Sequence, residues 1–168
     1  VAADAWSYDL GENWPNEVGQ GAKGTDGVIN TVSQADGTIG YADASKAGDL
    51  GTVAVKVGEK YVPYSAEAAA KVVDASPLDD SAKGDNRVVV KLDHTTTTTD
   101  GAYPVVLVSY AIVCPAYKDV NTAKFVKSWL TYVVSKDGQQ VAADNAGSAP
   151  MSDTLRAKVT KSIEAIKT

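Results

Sequence analysis

Apolar residues recur at helical spacing in four stretches of this chain and run almost unbroken in two others. Val28, Ile29 and Val32 share one helical face. Thr25 or Asp26 supplies an oxygen that can cap that helix start. Asp36-Gly37 closes the segment as a turn, and residues 38–41 are expected as a short buried strand. Residues 52–57 and 60–62 flank Gly58-Glu59, the pattern of a two-residue hairpin. An alanine-rich, weakly amphipathic helix is expected over 65–73, and a strand over 87–92. Five threonines at 95–99 then precede Asp100-Gly101, a low-complexity stretch with no packing signal of its own.

The second half is more regular. Residues 105–113 are apolar apart from Ser109, which suits a strand buried on both sheet faces, and Cys114-Pro115 ends it. Asn121 is expected to cap a helix whose Val126, Trp129, Leu130 and Val133 form a core face. Lys136, Asp137 and Gly138 interrupt or end that helix, and a second helical stretch covers about 139–145. Gly147 and Pro150 mark a loop. The last helix starts near Ser152, with Leu155, Val159, Ile163 and Ile166 inward and Arg156, Lys158, Lys161 and Lys167 toward solvent. The first twenty-five residues lack periodicity and read as a loop carrying Trp6, Trp14 and Pro15. A helix followed at once by a strand makes the class α/β.

Composition narrows the chemistry. The 168 residues are 44% hydrophobic and 22% charged, the composition of a folded domain rather than a disordered one. Sixteen basic and twenty-one acidic residues leave a net charge of −5, which argues against nucleic acid as the partner. A small anion is still compatible, because backbone N–H groups at a helix start bind one without net positive charge. Cys114 is the only cysteine and His94 the only histidine. An intrachain disulfide, a cysteine cluster for metal and a second histidine ligand are therefore all excluded. No run approaches the ~20 apolar residues that span a bilayer as a helix. The chain lacks an initiator methionine and a secretory leader, so it is expected to begin at a processing site or inside a longer protein.

Most chemistry-bearing residues have ordinary readings. Lys23 reads as a solvated loop lysine, and the Gly24 to Gly27 helix start as a capped helix packing on a sheet. Trp6 and Trp14 have the surface to stack on a sugar but are expected to pack their loop. His94 is expected to be exposed or locally hydrogen-bonded, and Cys114 to be a small buried hydrophobe. Asp79, Asp80 and Asp85 lack the spacing of a calcium loop.

Three segments, in register, resemble one family: the phosphate-binding subunit of phosphate ABC importers, a two-lobed solute-binding protein. The first is NWPNEVGQGAKGTDGVINTVSQADGTIGYADAS at 13–45. Trp14-Pro15, the Gly21 to Lys23 loop, the Gly24 to Val28 helix start and Gly37 to Tyr41 match the family pattern there, with Asp36 where the family often has proline. The second is AYPVVLVSYAIVCP at 102–115, which resembles a strand returning between lobes. The third joins the helix around 125–134 to AGSAPMSDTLRAKV, with Ala149-Pro150-Met151 departing from the bulkier family pattern.

This resemblance implies a periplasmic-binding-protein-like (type II) fold with a mixed sheet and flanking helices, here incomplete. Residues 1–103 would form most of the second lobe, and 104–168 would return to the first. It implies a substrate-binding component for inorganic phosphate import, with no enzymatic activity and no cofactor. ABC permease membrane subunits would be its partners, in an extracytoplasmic setting, in the periplasm or as a cell-surface lipoprotein. The family's phosphate ligands lie upstream of the region matching this chain, so no ligand residue carries over. Lys23, Gly24 and Thr25 remain as anion candidates from the chain itself. A swapped or packed partner is expected to cover the incomplete lobe. The alternative is a surface-exposed module that binds a protein or glycan through its tryptophan-bearing loops. Enzymatic catalysis ranks third, because nothing in the sequence pairs carboxylates for acid–base work.

Overall fold

The computed structural model of the chain describes residues 8, 9, 11, 13, 14, 19–84, 86–94 and 99–167. Trp6, Pro15, Asp85 and four of the five threonines lie outside the described residues, and so do the expectations placed on them. The chain divides into two compact units, Val1–Gly51 and Thr52–Thr168.

In the first unit, helix α1 spans Gly24–Ser33, and a single 3₁₀ turn spans Ala44–Lys46. Thr38 Oγ1 donates to Val32 O at 2.9 Å and to Ala35 O at 2.7 Å, satisfying carbonyls at the end of α1. Gly37 turns the chain back with φ +78°. Gly40 then passes so close to α1 that an added Cβ would stand 3.0 Å from Val28 Cγ1 and Val32 Cγ2. Val28, Ile29 and Val32 are thus half-buried, as their spacing suggests. The strand expected at 38–41 does not form: Ile39 is 79% and Tyr41 80% exposed. A strand needs a ladder partner, and none pairs with this segment among the described residues.

In the second unit, strands β1 (Val55–Val57) and β2 (Lys60–Val62) form an antiparallel hairpin with Val55 opposite Val62 and Val57 opposite Lys60. Gly58, at φ +61°, supplies the left-handed conformation that a two-residue turn requires. Helix α2 (Ala66–Ala75) follows, with Ser65 Oγ accepting from Ala68 N at 3.0 Å. Its buried face is Ala68 and Val72. Residues 87–92 make only an isolated antiparallel bridge, Leu78 to Val90, in place of the expected strand. Asp79 N donates to Val89 O at 2.8 Å and Lys91 N to Pro77 O at 2.9 Å.

Helices α3 (Val120–Val134), α4 (Lys136–Ala146) and α5 (Asp153–Glu164) complete the unit. Leu130, Val134, Ile163 and Ile166 form the core between them, with Tyr117, Val126, Met151 and Val159 packed against it. Asp119, not Asn121, caps α3, its carboxylate accepting from Thr122 N. Lys136, Asp137 and Gly138 form the first turn of α4, because Ser135 ends one helix and caps the next. Trp129 is 52% exposed, and the buried line of α3 runs through Ala123, Leu130 and Val134.

Residues 105–113 are the largest departure. They form no strand, and Leu107 is 90% and Ile112 94% exposed. Val106 and Val108 are half-buried, and the Tyr110 hydroxyl accepts from Val90 N at 3.0 Å. The apolar alternation has one face lightly covered and the other open. Downstream, Lys167 donates to Pro115 O at 2.9 Å and accepts from Tyr117 N at 3.0 Å, a parallel bridge. The α/β class thus takes the form of five α-helices and one small antiparallel sheet among the described residues.

Candidate anion site

The anion candidates Lys23, Gly24 and Thr25 lie together at the start of α1. Lys23 occupies its N-cap position in extended conformation (φ −84°, ψ 107°) and makes no side-chain cap. Thr25 and Asp26, expected to cap, instead lie within the first turn. The other four α-helices each begin with a side-chain oxygen on a backbone amide, from Ser65, Asp119, Ser135 and Ser152. The first intrahelical bond here is Gly27 N to Lys23 O at 3.2 Å. The amides of Gly24, Thr25 and Asp26 therefore precede the helical ladder and point away from it.

The sequence explains this geometry. Gly24 adopts φ +63°, and a Cβ there would meet nothing within 4 Å, so the glycine answers a backbone need and not crowding. Gly19 likewise turns at φ +88°. Lys23 and Gly24 are exposed, and Thr25 is half-buried. Backbone donors, the positive end of the helix dipole and one ammonium make a suitable approach for an anion. Asp26 adds an exposed carboxylate to the same turn, which stabilises the helix and repels a second negative charge.

The sequence reading missed a cleft of about 370 Å³ lined by Lys136, Gln139, Met151, Ser152, Asp153 and Arg156, among others. Its charged groups are occupied with one another and with the backbone. Lys136 Nζ lies 3.2 Å from Asp153 Oδ2, and Arg156 Nε 3.4 Å from Asp153 Oδ1. Arg156 also donates to Val134 O and, at 3.0 Å, to Met151 O. Gln139 donates to Val133 O at 2.9 Å and accepts from Met151 N at 3.0 Å. The bond to Lys136, its charge and the Arg156 bond together hold the Asp153 carboxyl below the usual range. These side chains satisfy carbonyls at the end of α3 and join it to α5; they form a structural junction. Arg156, expected toward solvent, has most of its side chain in this junction.

The remaining candidates are scattered. Trp14 is exposed. His94 is exposed, with Nδ1 2.8 Å from Pro104 O, where the Nδ1–H tautomer donates. Cys114 is exposed rather than buried, since the strand that would have enclosed it does not form; its amide donates to the Tyr117 hydroxyl at 3.1 Å. Asp79 accepts from Ser81 N and Oγ, a local turn. No group of three or more His, Cys, Asp or Glu side chains able to hold a metal ion occurs among the described residues. Nor is any described helix long and apolar enough to cross a membrane.

The chain is similar to the phosphate-binding protein PstS 3 of Mycobacterium leprae (strain TN), 27% identical over 165 residues that cover 96% of this chain and 44% of that protein. It is similar to the phosphate-binding protein PstS 2 of Mycobacterium tuberculosis (strain ATCC 25618 / H37Rv), 27% identical over 166 residues with the same coverage. PstS 3 of that same strain is 26% identical over 166 residues. The chain therefore spans a little under half the length of the curated relatives it matches. No solved structure matches it. The family model described as the PBP superfamily domain matches residues 2–137, and the chain belongs to that family.

Proposed function

We propose that this chain is part of the substrate-binding component of an ABC importer for inorganic phosphate. The observation that carries the reading is the match of 96% of the chain to proteins named as phosphate-binding, within a single family. The protein works by binding, not by catalysis: two lobes close on a dehydrated oxyanion and the closed form docks on permease subunits, outside the cytoplasm. Neutral and backbone donors hold the anion, so a net charge of −5 is no obstacle.

In this reading, residues 1–103 contribute most of the second lobe and 104–168 return to the first. The open apolar face of 105–113 supports such a return, because a strand of that composition is stable when a sheet covers it. Lys23, Gly24 and Thr25 are the anion-facing candidates of this chain, supported by the uncapped start of α1.

A chimera tests the proposal. This chain replaces the matching segment of the Mycobacterium leprae relative, and phosphate binding is followed by calorimetry. The expected result is a folded chimera that binds phosphate, while this chain alone shows no micromolar affinity. A folded chimera that ignores phosphate would sink the functional reading. Micromolar binding by the chain alone would sink the division of ligands between this chain and the rest. Within the chimera, Lys23→Met is expected to weaken binding about two- to fivefold, the scale of one exposed charge at a helix start.

A further inference from the structure

We draw no further inference here: the strongest candidate, the exposed apolar segment at 105–113 with Leu107 and Ile112 open to solvent, is an unpartnered apolar face, and nothing in the structure shows what covers it.

Discussion

Ser135 satisfies two helices with one hydroxyl. Its Oγ donates to Tyr132 O at 2.7 Å and accepts from Gly138 N at 3.0 Å. Space beside it is tight: a Cβ on Gly138 would stand 2.1 Å from Tyr132 O, so the corner between α3 and α4 admits only glycine there without a backbone shift. Ser135→Ala removes both hydroxyl bonds and is expected to cost about 1–2 kcal/mol in urea unfolding. A loss below a few tenths would show that water replaces the hydroxyl. Asp153 gives the residue scale its pH dependence. Its folded pKa is lowered, first by the bond to Lys136 and then by that charge and by Arg156. A lowered carboxyl stabilises the fold above its unfolded pKa, about 4, and that contribution disappears as pH falls through the folded value. Stability is therefore expected to be flat in this term at neutral pH and to decline on acidification below about 4. Asp153→Asn should flatten part of that decline in acid titrations followed by circular dichroism. An unchanged acid slope would refute the assignment.

The junction built by Arg156 shows what holds helices α3, α4 and α5 in place besides the Leu130, Val134, Ile163 and Ile166 core. A planar guanidinium reaches Val134 O, Met151 O and Asp153 together. A lysine carries the charge but cannot reproduce that fork. Arg156→Lys is expected to cost about 1–3 kcal/mol, because half-buried carbonyls lose their donor, and Lys136→Gln much less, because its pair with Asp153 is exposed. Equal losses from the two variants, measured by thermal unfolding, would count against the fork. Helices were the legible part of this fold. The spacing of Leu155, Val159, Ile163 and Ile166 and the helix starts expected at about Ser65 and near Ser152 are local signals, and the structure follows them. The hairpin was legible for the same reason, since Gly58-Glu59 fixes its register. Strands were not. The apolar residues at 38–41, 87–92 and 105–113 record a preference for burial, but a ladder depends on a partner elsewhere, which local composition does not specify. The α3 cap was missed because Asp119 and Asn121 are both good caps, and only the backbone turn selects between them. At the candidate anion site, glycine and lysine content was readable, whereas the missing cap at Lys23 is a property of backbone geometry.

At the scale of the whole molecule, the segment at 105–113 is expected to govern the behaviour in solution. Leu107 and Ile112 are almost fully exposed, and no charged residue interrupts them. Apolar, β-prone backbone with no strand ladder among the described residues is expected to exchange amide hydrogens quickly and to recruit other chains. Leu107→Asp is expected to leave the unfolding free energy of the chain within about 0.5 kcal/mol of its original value while reducing aggregation in light scattering. A loss of several kcal/mol would mean that Leu107 is packed in a sheet, and so would slow exchange across the segment. A different feature bears on how the second unit comes apart. The Tyr64 hydroxyl donates to Gly147 O at 2.8 Å, and its ring meets Tyr103 edge-on at 5.8 Å. One phenol, just after the hairpin, thus couples the Tyr103 region to the corner between α4 and α5. Early and late parts of the sequence share that anchor, so heat should melt the hairpin and the carboxyl-terminal helices in one cooperative step.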